Sequence, residues 1–229
     1  HRSMAEKEST PHDPPVAVLD FLRIFLPYEL RLAQRQAMVS SSKSTQGLPA
    51  SCLGLYLVRL EPMKGDWFPA SAEGGSQIGD HVQALLSDVL RDSDIPIRMS
   101  DQEHLAILRD LDPEHTYVVS QRFLASAAES DLLLAANLRT RVGYVIYPLS
   151  SQPNYPTQKW ENIIELARRM SDRGETEERA IGHGLLRGPS MTETGIPESD
   201  LVPLATRDPD ALVKVGLLQI QKIHLMPNV

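Results

Sequence analysis

The order of apolar patterns predicts an α/β chain of the α+β sandwich type, with a mainly antiparallel central sheet flanked by helices. Three observations carry that expectation. Apolar residues recur at helical spacing in several separated segments; short apolar runs of strand length lie between them; and two of those runs, "IPIRM" and "HLAILRDL", stand close enough to form a hairpin.

Residues 1–14 are polar and carry two prolines, a composition that buries too little apolar surface to order itself, so they read as a tail. From Val16 the positions Val18, Leu19, Leu22, Phe25, Leu26, Leu30, Ala33 and Met38 keep helical spacing across Pro27, which removes a backbone donor. Two short helices, or one kinked helix, are expected. "SSSKSTQGLPAS" reads as a connector, and "CLGLYLVRL" as the first central strand. Pro and Gly make "EPMKGDWFPASAEGG" a loop, after which Ile78, Val82, Leu85, Leu86 and Leu90 share one face of a helix. The hairpin follows, then the helical "TYVVSQRFLASAAES", a strand in "TRVGYVIYPL", and an amphipathic helix in "KWENIIELARRM". Residues 171–210 keep no period and read as linker, "GHGLLRG" included; Asp208-Pro209-Asp210 then starts a helical turn, followed by a strand in "GLLQIQKIHL". The division expected is a tail at 1–14, a helical segment and linker at 15–50, a domain at 51–175, and a linker with a C-terminal extension packing on it at 176–229.

The 229 residues and 41% hydrophobic content suit one sizeable core with appendages. A net charge of −7 and a pI near 5.5 exclude a smeared basic footprint for nucleic acid, so an anionic ligand needs a local site. The single cysteine, Cys52, lies in an apolar run and reads as a buried thiol in a reducing compartment. No run is long and apolar enough for a membrane helix, and no secretory leader opens the chain, which predicts a soluble, cytoplasmic protein. "HRSM" resembles a cloning remnant, so the chain reads as a piece of a longer protein. The seven histidines have no paired metal spacing, there is no GxSxG, and Trp160 and Phe123 fit core packing better than aromatic platforms.

An arginine and an aspartate one helical turn apart can read guanine, the guanidinium donating to O6/N7 while the carboxylate accepts from N1 and N2. Arg91 and Asp94 have this spacing, but so do four other pairs in the chain, beginning with Arg98/Asp101. Spacing alone does not choose among the five. "GSQIGD" at 75–80, five residues between Asp94 and Ser100, "SDQEH" at 100–104, and "TRVGYVIYPL" before a tryptophan-bearing helix follow one another as in the GGDEF domain of diguanylate cyclases. From about Leu53 to Met170 the chain resembles that family, which condenses two GTP molecules into cyclic di-GMP. The resemblance implies a GGDEF/nucleotidyl-cyclase-like fold and places Arg91 and Asp94 at the inhibitory cyclic di-GMP site, with Arg98 and Arg59 as phosphate partners.

The departures fall on the chemistry. Cyclisation needs divalent metals held by carboxylates from the first strand end and the signature turn. An ungapped alignment puts Met63 and Gly65 at the strand-end ligand positions, and a gap rescues only Glu61. In the degenerate turn Ser100 and Asp101 replace the two glycines, Gln102 replaces the first acid, Glu103 survives, and His104 stands last. Ser76 replaces a histidine and Ser71 the guanine-reading asparagine, while Asp80, the other guanine contact, remains. The leading expectation is a catalytically inactive domain that acts as a cyclic di-GMP receptor through Arg91, Asp94 and Arg98, without metal or cofactor. Its partners would be cyclic di-GMP, a protein or neighbouring regulatory domain, and a second copy in a homodimer; nucleic acid and membrane insertion are not expected. The alternatives are a nucleotide-independent protein-interaction scaffold and a residual cyclase using Glu61, Asp80 and Glu103 with magnesium. A receptor needs Arg91 exposed beside Asp94, a scaffold an exposed apolar patch, and a cyclase carboxylates converging at metal distance.

Overall fold

The computed structural model describes residues 14–41, 52–63, 72–112, 117–147, 159–172, 182–186, 203–204, 207–214 and 219–223. In chain order the elements are α1 (Val16–Ser41), β1 (Cys52–Pro62), α2 (Ala72–Val89), β2 (Ile95–Arg98), β3 (Glu103–Leu111), α3 (Tyr117–Ala128), α4 (Asp131–Ala135), β4 (Leu138–Tyr147), α5 (Trp160–Asp172), β5 (Gly182–Leu186), α6 (Pro209–Lys214) and β6 (Gln219–Ile223). They build a sheet of order β2-β3-β1-β4-β5-β6, antiparallel throughout except for β4 and β5. This is the fold class expected. None of the described helices is long and apolar enough to cross a membrane.

β1 is central because it is apolar on both faces, and period-2 alternation divides its residues between two cores. Leu53, Leu55 and Leu57 join Leu22, Leu26 and Leu30 of α1 and Ile163, Leu166 and Met170 of α5. Tyr56, Val58 and Leu60 join Val82 and Leu86 of α2 and Phe123 and Leu124 of α3 on the opposite face. Phe123 is thus core, its ring set edge-on to Tyr56, and Trp160 packs against the first core. Cys52 is buried with its thiol 3.1 Å from Leu111 O.

α1 is one 26-residue element through Pro27, a single helix rather than the two short ones also expected; the buried stripe Leu22, Leu26, Leu30 continues past the proline, and tertiary packing outweighs one missing hydrogen bond. Other elements differ from the expectation. α2 begins at Ala72, inside the expected loop, so "GSQIGD" lies within its first turns. α4 follows α3 after Ser130, whose hydroxyl accepts from Leu133 N in a side-chain cap. "GHGLLRG" is no linker in its first five residues: 182–186 form β5, parallel to β4, because the β4 edge offers an unpaired row of backbone groups. The C-terminal helical turn and strand are as expected. The stretches 42–51, 64–71 and 148–158 lie outside the described residues, as do the tail's first thirteen residues and Ser71 and Gly65.

Candidate functional site

The β2–β3 hairpin closes over residues 99–102, and its turn is satisfied from within. Met99 N and Ser100 N both donate to Glu103 O, and the Ser100 hydroxyl accepts from Gln102 N and Glu103 N at 3.2 and 3.0 Å. Backbone N–H groups that could cradle a phosphate are therefore taken by a side chain that glycine would lack. The turn is also stitched to β1, with Leu60 N donating to Gln102 O at 2.8 Å.

Antiparallel register decides what faces the turn. Glu103 stands opposite Arg59 on β1, and Arg59 in turn stands opposite Arg141 on β4, so one row across three strands reads Glu-Arg-Arg. Two residues on, Glu61 is opposite Arg139. Met63 lies four residues beyond the row, where its N–H donates to Asn137 O just before β4. An arginine occupies the place facing the turn.

The surviving carboxylates are all paired. Arg168 of α5 grips Glu103 through Nε (3.1 and 3.2 Å) and Nη2 (2.8 Å), and Arg59 approaches the same carboxylate at 3.8 Å while bonding Asp172 at 2.5 Å. Burial alone would lower the Arg168 pKa, but the hydrogen bonds and charges of Glu103 and Glu165 together outweigh that and raise it. Glu61 accepts from Arg139 at 2.7 and 2.9 Å and pairs with Arg141 at 2.6 Å. Arg98 bonds Asp80, Asp101 (2.7 Å) and Ser76 O (3.1 Å), and its guanidinium lies so close over Gly79 that a Cβ there would collide with it. Arg98 thereby ties α2 to the hairpin, with its guanidinium engaged by two carboxylates and a carbonyl. Among the described residues no group of three or more His, Cys, Asp or Glu converges as a metal site. The carboxylate set of the residual-cyclase reading is dispersed among arginines, and a dication brought to Glu61 or Glu103 would meet guanidinium charge.

His104 is fully buried beneath α2, its Nδ1 2.7 Å from Gln83 Oε1 and its Nε2 3.4 Å from Asp101 O. Burial pushes its pKa down to about 4, so the ring is neutral at pH 7.

Arg91 and Asp94 meet as their spacing predicted, but their bonds point inward. Asp94 Oδ2 accepts from Arg91 N and Nε at 2.9 and 3.2 Å, and Oδ1 from Arg91 Nη2 and Arg109 N at 2.9 and 3.3 Å. Arg91 Nη2 also donates to Arg109 O at 2.5 Å. The reason lies in the sheet: β2 pairs with β3 only from Ile95 opposite Ile107, so the backbone of Arg109, beside the β1–β3 register shift and Asp110 at φ 46°, lies beyond the end of the β2 ladder. The pair clasps that uncovered edge. The Asp94 side chain has 0% exposure, so as arranged it cannot accept from a guanine N1 or N2, which corrects its expected role as a base reader. Arg91 keeps 51% of its side chain exposed, and the bond to Asp94 raises its pKa.

The clasp continues to α1. Arg109 Nε bonds Glu29 Oε2 at 3.1 Å, and Glu29 Oε1 is buried with no hydrogen-bond partner among the described residues. It borders a cavity of about 40 Å³ lined also by Gln36, Arg109 and Asp110, a polar space of water size. The arginines of this site, Arg109, Arg139, Arg141 and Arg168, were missed by sequence reasoning; the signal present was the i, i+2 spacing of Arg139 and Arg141, which mirrors Arg59 and Glu61 on the neighbouring strand.

No family profile and no curated protein matches the chain. Solved structures similar to it are GGDEF domains. They include that of YfiN (TpbB) from Pseudomonas aeruginosa, at 15% identity and TM-score 0.48, covering 69% of this chain and 94% of that one. An EAL/GGDEF domain protein from M. capsulatus has 14% identity and TM-score 0.44 over 57% and 84%. The GGDEF domain of DgcB from Caulobacter crescentus, solved in complex with c-di-GMP, has 13% identity and TM-score 0.44 over 66% and 82%.

Proposed function

We propose that the chain is a catalytically inactive GGDEF-like signalling module that works through protein contacts rather than turnover. One observation carries the inactive part: Arg59 stands in the row facing the signature turn, and Glu61 and Glu103 are neutralised by Arg139, Arg141 and Arg168. Guanidinium groups supply the positive charge that a metal would bring, but they bring no open coordination position and activate no hydroxyl. The contact part is supported by an apolar surface left open on α1, where Ile24 is 78% exposed.

A second reading, a cyclic di-GMP receptor, is favoured by the half-exposed Arg91, whose guanidinium is held in one orientation by a buried carboxylate. Such a cation could meet a guanine edge or a phosphate without help from Asp94.

One titration series separates these readings. Purified protein is incubated with GTP and magnesium and assayed for cyclic di-GMP, then titrated calorimetrically with each nucleotide beside Arg91→Ala. The expected result is no product and no heat. Product formation would overturn the inactive reading; micromolar cyclic di-GMP binding that disappears in Arg91→Ala would replace the contact reading by the receptor.

A further inference from the structure

α1 is apolar on two sides. Its inner side, Leu22, Leu26, Leu30 and Ala33, is buried against the sheet. At ~100° per residue, Asp20, Phe21, Ile24, Tyr28, Arg31 and Arg35 fall within about 60° of Ile24 on the opposite side. All six are exposed, with Phe21 at 42%, Ile24 at 78% and Tyr28 at 57%. Phe21 stacks on Phe25 within the helix, with ring centroids 5.0 Å apart, but the outer surfaces of all three large apolar side chains in this row face solvent.

The charges beside the row select its occupant. The acid, Asp20, lies on the N-terminal side of the apolar row and the bases, Arg31 and Arg35, on the C-terminal side. A copy of the same helix laid antiparallel brings Asp20 of each chain toward Arg31 of the other and centres Phe21, Ile24 and Tyr28 on the symmetry axis, an isologous contact. A parallel copy would set the arginines of the two chains against each other. Among the described residues Asp20 pairs only with its neighbour Arg23, at 3.4 Å and with both side chains more than half exposed, a screened contact that a partner can displace.

We infer that a second copy of this chain docks antiparallel on the outer face of α1, through Phe21, Ile24 and Tyr28 flanked by two reciprocal Asp20–Arg31 pairs. The inference names the partner that the contact reading leaves open and rests on that reading only for the claim that this face is used. A contact of two helices is small beside the ~1,600 Å² of a standard interface, so the dimer is weak and concentration-dependent.

Sedimentation equilibrium on the full chain tests it. The mass rises from 25.5 kDa toward twice that value as concentration increases from micromolar to about 0.5 mM. Ile24→Glu remains monomeric with an unchanged circular dichroism spectrum, since the side chain it replaces is exposed. Asp20→Arg and Arg31→Asp each weaken the dimer about tenfold, and the doubly substituted chain recovers it, because reversed charges again face their opposites. A wild type monomeric throughout, a dimer that survives Ile24→Glu, or a double variant no better than the singles would overturn the inference. None of these outcomes touches the inactive reading, which the nucleotide assay decides.

Discussion

His104 closes the β2–β3 turn as a buried neutral base. Its pKa of about 4 in the folded chain lies below the ordinary histidine value of 6.5, so between those limits the unfolded chain binds more protons than the folded one. Stability is complete above pH 6.5 and falls as pH drops toward 4, by about 3 kcal/mol for a shift of this size. His104→Phe removes the titration and leaves an apolar ring against α2. Urea unfolding at pH 7 and pH 4.5 should show a markedly smaller loss in the variant than in wild type; equal losses would show that other groups govern the acid limb. The same logic of side chains turned inward separates Arg91 from Asp94. Their spacing was legible in the sequence, but the bulge at Asp110 and the early end of β2, which draw the Asp94 carboxylate to Arg109 N, were not, because a register shift leaves no mark on residue spacing.

At the level of elements, α5 holds the site together: it carries Arg168 to Glu103 and Asp172 to Arg59, and it approaches β4 closely only because residue 143 is glycine. A Cβ built on Gly143 would strike Ala167 O and Ser171 N, backbone atoms that cannot rotate away. Gly143→Ala must therefore lift α5 from the sheet, and a loss of about 3 kcal/mol, near the upper end for overpacking, is expected in denaturant unfolding. A loss below 0.5 kcal/mol would mean that α5 sits less tightly on the strand than described. The glycine was visible inside a strand pattern, and such a glycine announces a close approach without naming the neighbour. Elements with a strong period, β1, α2, the hairpin, β4 and α5, were legible because each buries a stripe whose spacing identifies it. β5 was hidden for the opposite reason: a five-residue strand containing two glycines has too little pattern, and what makes it a strand is the open edge of β4. Pro27 left two short helices or one kinked helix open, and packing on both sides of it decides for a single element.

For the whole molecule, the two cores are the faces of one sheet, and β1 alternates between them residue by residue. Leu55 and Leu57 cannot leave α1 and α5 without dragging Tyr56 and Val58 from α2 and α3, because they are neighbours on one strand bonded on both sides to β3 and β4. The two layers should therefore unfold together, as a single transition. Each face carries its own reporter: Trp160 packs against the core under α1 and α5, while Tyr56, Tyr144 and Phe123 meet edge-on in the other. In a Trp67→Phe background, tryptophan fluorescence follows the first face and near-ultraviolet tyrosine dichroism is weighted toward the second. Urea titrations read by both, and by far-ultraviolet dichroism, should give one midpoint and one slope. Two separated midpoints would show that α1 and α5 leave the sheet before α2 and α3, and the ion pairs that Arg168 and Asp172 of α5 make with Glu103 and Arg59 would then belong to a layer able to open on its own.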